Sequence, residues 1–230
     1  MIKKKPSVTN AFIETIFPEL AKDGFIKLNQ KKYARLLNNE IVQWISIHVE
    51  TRLRREYLIQ YGITFLSCPQ DSFSLMLGGN FSQGTSGGTY GANNDRMLEK
   101  SIQRALTSYI EEVRPIFNDL SSIESLITAY KDLIESKPKL CQTGHHDFAI
   151  ACGYSILEKS KLAKKYCKIS QTKYEKTFIE NSNLDWAQVH IDYTKLLLSA
   201  LNSDNLIYIL ESWRKYTIEN LKLSKLCKDT

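Results

Sequence analysis

Hydrophobic and polar residues alternate along the first third of the chain and recur every three or four positions along the rest. Phe12, Ile16, Leu20 and Ala21 share helical spacing, and Asp23-Gly24 supplies a stop with glycine at the C-terminal cap. Strands follow. Residues 33–37 lead into Asn38-Asn39, a pair that tolerates the positive φ of a tight hairpin, and 41–49 then carry Ile41, Ile45, Ile47 and Val49 on one face. Trp44, Ser46, His48 and Glu50 make the opposite, half-wet face. Tyr57, Ile59, Tyr61, Ile63 and Phe65 alternate with Gln60, Gly62 and Thr64, and Phe73, Leu75 and Leu77 extend the pattern as a further strand. Connections this short predict an antiparallel meander, because a parallel pair needs a crossover of about a dozen residues. A doubly wound βαβ sheet is therefore not expected.

From Asp95 the period becomes helical. Met97, Ile102, Leu106, Tyr109, Ile110 and Val113 mark one helix, expected to end near Arg114-Pro115, and a second runs from Ser122 to Ser136. Further helices are predicted near 144–159, 160–180, 183–201 and 203–226, with stripes such as Trp186, Val189, Tyr193, Leu197 and Ala200. The expected fold is α+β: an N-terminal helix and antiparallel β-meander, then a C-terminal array of antiparallel helical hairpins. The compositional shift at Lys137-Pro138-Lys139 suggests an α+β domain over 8–136 and a helical subdomain over 139–230.

Composition narrows the class. With 230 residues, 43% hydrophobic, ten Gly and five Pro, the chain can bury a core and is neither collagenous nor low-complexity. The basic start lacks a following apolar run and no stretch approaches the length of a membrane span, so the chain reads as cytoplasmic with no membrane partner. Five cysteines, odd in number and without a C-x-x-C, read as reduced thiols.

Several motifs invite a chemical reading. Six of the ten glycines fall between Gly78 and Gly91, after a strand and before a helix, where phosphate loops sit; the Lys-Ser/Thr pair of a Walker loop is missing. Gly84-Thr-Ser86-Gly-Gly88 matches the nucleophile-elbow pattern G-x-S-x-G, but an elbow belongs to a mostly parallel α/β sheet. Cys141, His145, His146 and Asp147 offer metal-ligand chemistry at a spacing that fits no standard zinc site. Asp147 is better explained in the first turn of a helix begun at Thr143 or Gly144, where its charge suits the dipole. His190 lies beside an apolar stripe as a core-edge histidine, and Glu111-Glu112 lacks a partner base. No cofactor or metal is expected, and no catalytic residue is assigned.

Charge survives this weeding. Residues 159–176 hold seven lysines against Glu175, a net +6 that equals the formal charge of the whole chain. On a helical wheel Lys161, Lys164, Lys165 and Lys168 share one face, and Leu162, Tyr166 and Ile169 occupy another. These four lysines, with the basic turn Arg52, Arg54 and Arg55, are the candidate partner-binding residues. The plain alternative is a solvated lysine face.

The run Asp23-Gly-Phe25, Tyr33-Ala-Arg35-Leu-Leu-Asn38-Asn39-Glu40-Ile-Val-Gln43-Trp-Ile45 and Ile59-Gln60-Tyr61-Gly62-Ile63 resembles a bacterial family catalogued as domain of unknown function 4304, over roughly residues 8–120. The resemblance implies an α+β fold with trailing helices and supplies no catalytic residues. Small bacterial domains of this kind are often encoded beside polymorphic or contact-dependent toxins and act as immunity proteins. By that analogy the expected function is a non-enzymatic protein-binding module that neutralises a cognate toxin. Two alternatives stand beside it: a hydrolase or nucleotide-binding enzyme using loop 78–91, and a nucleic-acid-associated adaptor using helix 159–176. Lysine in place of arginine disfavours nucleic acid.

Overall fold

The computed structural model describes residues 7–50, 56–74, 76–81, 89–181 and 184–227. It has the α+β architecture that the patterning predicts. The elements in order are α1 (Val8–Thr15), α2 (Phe17–Lys22), β1 (Ile26–Asn29), β2 (Lys32–Leu37), β3 (Ile41–Glu50), β4 (Glu56–Phe65), β5 (Leu77–Asn80), β6 (Thr89–Gly91), α3 (Asp95–Ser108), α4 (Arg114–Asp119), α5 (Ile123–Ser136), α6 (His145–Ile156), α7 (Ser160–Glu180), α8 (Asp185–Ala200) and α9 (Leu206–Leu221). They form two compact units. The first comprises Met1–Ile63, Phe73–Asp119 and Lys222–Thr230; the second comprises Thr64–Ser72 and Leu120–Leu221, so α5 groups with the helices that follow it.

The first unit is built on a six-stranded sheet in the order β1-β2-β3-β4-β5, with β6 also on β4. The β2–β3 hairpin closes at Asn38 and Asn39, with φ of 50° and 55°, and places Leu37 opposite Ile41. Gly24 at φ 84° ends α2 as its position after Asp23 requires. β3 departs from the expected alternation, because Trp44 and Ser46 are buried along with Ile45 and Ile47. Gly62 makes this possible. A Cβ there would come within 2.5 Å of the Trp44 ring, so the missing side chain leaves room for the indole, and Phe73 packs 5.0 Å from it. Phe73 is thus a cover for Trp44 outside the strand, which begins only at Leu77; Leu75 lies outside the described residues.

The helix beginning at Asp95 does not end at Arg114-Pro115. It passes through a π-helical turn at Tyr109–Val113 and continues as α4 to Asp119. Pro115 has no N–H and its ring crowds the carbonyl four residues earlier; the wider turn, with Arg114 N–H donating to Tyr109 O, accommodates both problems without ending the helix. Its buried face is Leu98, Ile102, Ala105, Tyr109 and Val113, whereas Met97 and Ile110 are exposed.

Around that π turn sits a polar network. Arg35 donates to Gln43 Oε1 at 2.7 Å and to Asp23 O at 2.5 Å, and Gln43 donates to Phe117 O at 2.6 Å. Arg114 reaches Asp23 at 2.7 Å and Glu19 at 3.0 Å, and Tyr109 OH donates to Asp23. Its paired cations hold the Glu19 carboxyl below its ordinary value, the hydrogen bonds from Lys22 and Arg114 being the main causes. Asp23, Arg35 and Gln43, scattered along the sequence, thereby tie α2, β2 and β3 to α4.

The second unit packs α5 on α6, α6 on α7 and α7 on α8. Ser122 caps α5, and Asp147 stands in the first turn of α6 as the sequence predicts. Gly153 lets α6 lie against Ile127 and Phe65, since a Cβ there would meet Ile127 at 2.8 Å. On α8 the buried positions are Ala187, Ile191, Thr194, Leu197 and Ala200; Val189, expected inside, is exposed. No helix among the described residues is long and apolar enough to cross a membrane.

Candidate functional site

Helix α7 carries the candidate lysines, and what holds it decides which way they point. Its buried seam is Ala163, Cys167, Ser170 and Tyr174, not the larger Leu162, Tyr166 and Ile169 that hydrophobicity alone would select. Small side chains allow close approach to both neighbours. Cys167 Sγ–H donates to Thr194 O at 3.3 Å and Ser170 Oγ to Gly144 O at 2.9 Å. Gly144 sits at φ 93°, and a Cβ there would stand 2.8 Å from Ser170 O, so both its conformation and this contact require glycine.

About 140° round the helix from that seam lies the basic face. Lys161, Lys165 and Lys168 are exposed and Lys164 is half-buried; among the described residues none of the four forms an ion pair. The rest of the lysine run is used otherwise. Lys173 binds Asp147 at 2.5 Å and Cys141 O at 3.2 Å, and Lys176 lies 3.7 Å from Glu180. The effective patch is therefore smaller than the +6 of the segment.

The structure adds one residue that spacing does not reveal. Lys131 of α5 places its ammonium 5.6 Å from the Tyr166 ring and 5.0 Å from the Tyr154 ring, and donates to Tyr154 OH at 2.5 Å. Lys165 lies 5.7 Å from the same Tyr166 ring. The hydrogen bond to Tyr154 holds the Lys131 ammonium above its ordinary value, so it stays charged. Tyr166 thus belongs to the basic surface as an aromatic ring within reach of two cations. Arg52, Arg54 and Arg55 lie outside the described residues.

The other motifs resolve differently. His145 shares a 2.8 Å hydrogen bond with Tyr174 OH and faces His190 at 4.5 Å, with Trp186 5.2 Å away. Burial pushes His145 down to about 3 and His190 down to about 4, so both imidazoles are neutral near pH 7 and serve as aromatic packing. Asp147 is committed to Lys173. No family model, curated protein or solved structure matches this chain. Of the glycine-rich stretch, Gly78 and Gly79 lie in β5 and Gly91 in β6, while residues 82–88, with Gly84 and Ser86, lie outside the described residues. Its two flanks pair with adjacent parts of β4, Asn80 opposite Gln60 and Thr89 opposite Leu58. The stretch accordingly joins strand to strand, and α3 starts later at Asp95 under its own cap, Asn94. A phosphate loop and a nucleophile elbow both need the helix to begin at the loop. What the α7 surface offers chemically is a set of unpaired point charges and one ring, suited to attracting and holding an acidic surface.

Proposed function

We propose that this protein is a non-enzymatic binding module that caps an acidic partner protein, in the manner of a bacterial immunity protein neutralising its cognate toxin. The observation that carries the reading is the orientation of α7: Lys161, Lys164, Lys165 and Lys168 on the side away from its buried seam, with Lys131 and Tyr166 beside them. Unpaired surface charges of one sign accelerate encounter with a complementary surface more than they tighten the final complex. The mixed lysine and tyrosine make-up suits a protein surface better than phosphate geometry, which favours the arginine fork.

The test is association with the product of the neighbouring open reading frame, followed by stopped-flow fluorescence at several salt concentrations. Reversing the four lysines to glutamate should slow association by roughly 10–100-fold and flatten its salt dependence. An unchanged association rate removes this face from the interface.

A further inference from the structure

A second basic surface lies in the first unit and differs in kind. Arg96, Lys100 and Arg104 follow one another at four-residue intervals along the exposed side of α3 and line a cleft of about 870 Å³, whose far wall includes Glu56 and Gly91. None of the three cations is ion-paired among the described residues. A second hollow of about 400 Å³, lined by His48, Tyr57, Leu58, Gln60 and Thr89 among others, also has Glu56 in its wall.

Three features define what fits. The cations form a row instead of converging on a point, so they suit a linear polyanion better than a single phosphate. Their rise of about 6 Å per step along a helix nearly matches the roughly 6.7 Å between same-face residues of an extended chain. Glu56 and Glu99 also line the cleft, while no aromatic side chain does. A continuous phosphate backbone would be repelled by those carboxylates and would find no ring beside the cation row to stack a base on, the Tyr57 ring of the neighbouring hollow being buried. A peptide meets neither objection, because its N–H groups and occasional basic side chains can face Glu56 and Glu99 while its acidic side chains face the row. Arginine at two of three positions offers carboxylates a bidentate partner.

We infer that the α3 cleft binds an extended acidic peptide segment of a partner protein, with carboxylates at alternate positions meeting Arg96, Lys100 and Arg104. This surface is independent of the α7 face, and its failure would leave the reading of α7 untouched.

The experiment uses the full chain and a fluorescein-labelled peptide of alternating glutamate and serine, about ten residues long so that its extended form of about 33 Å exceeds the roughly 12 Å from Arg96 to Arg104 along the helix. Fluorescence anisotropy should show binding that weakens with salt. The variant Arg96→Gln/Lys100→Gln/Arg104→Gln should weaken it at least tenfold with an unchanged melting temperature, since all three side chains are exposed. Reversal of the four α7 lysines should leave it unchanged. Arg96→Lys/Arg104→Lys, which keeps the charge, should weaken it severalfold, because an ammonium cannot bind a carboxylate in bidentate fashion. Absence of binding by the wild type, undiminished binding by the glutamine variant, or tighter binding of an oligothymidylate lost in that same variant would each overturn the inference.

Discussion

The lysine face of α7 and the cleft beside α3 are both basic, and they show two ways of presenting positive charge. The α7 face carries its charge on lysine alone, with Tyr166 beside it, and stands away from the buried seam that holds its helix down. The α3 surface is concave, contains two arginines, and includes two carboxylates. Along the sequence only the first is conspicuous, because Asp95 and Glu99 dilute the charge of α3 to near neutrality. The fold sorts those charges by face, and net charge along a segment says little about the charge a partner meets. A lysine patch steers; a cleft with guanidinium forks can select geometry.

That contrast can be broken first at the seam. Gly144→Val forces a β-branched side chain into φ 93° and against Ser170 O. It should destabilise the chain by about 4 kcal/mol, read as a lower urea midpoint, and spoil the α7 surface while peptide binding at α3 persists under native conditions. A loss of α3 binding alone would contradict this division.

Acid separates the two regions next. His145 and His190 stay neutral in the folded chain down to about 3 and about 4, but protonate from their ordinary value of 6.5 once unfolded. Their contribution is complete above that value and is lost progressively as the pH falls from 6.5 towards 4. Hydrogen exchange between pH 7 and pH 4.5 should show α6–α8 opening before the β2–β3 hairpin. His145→Phe/His190→Phe should flatten this pH dependence.

A smaller effect is expected at Lys173. Asp147→Asn removes its partner and should cost about 1–2 kcal/mol in thermal melts, because Lys173 retains partial solvent access and the carbonyl of Cys141. The smallest concerns Tyr166. Its replacement by Leu removes the ring that Lys131 and Lys165 both approach and should cost about 0.5–1 kcal/mol, with a matching small loss in partner affinity. The denaturant midpoint of Tyr166→Leu and its dissociation constant for the partner measure these differences.

Some of the fold is legible because its cause is local. The Asn38-Asn39 turn, Gly24 after α2, Ser122 before α5 and Asp147 in the first turn of α6 each depend on φ or on a hydrogen bond within a few residues. The period-two run of β4 and the α+β order are legible for the same reason. β1 and β6 are too short to carry a period, and their pairing comes from neighbours, Ala34 for Ile26 and Tyr57 for Tyr90. The passage of the α3 helix into α4 through the π turn also escapes local rules, which assign Pro115 the role of a stop.

For the candidate sites the division is sharper. The sequence by itself determined that four lysines share one face of α7 and that arginine and lysine recur every four residues on α3, because helical periodicity makes these facts independent of the rest of the molecule. Only the tertiary structure decided that α7 would bury Ala163, Cys167 and Ser170 in place of Leu162 and Ile169, that Lys131 would join Tyr166, and that α3 would border a cleft. Each of these rests on the fit between surfaces distant in the chain, and close packing rewards a small residue where two helices nearly touch.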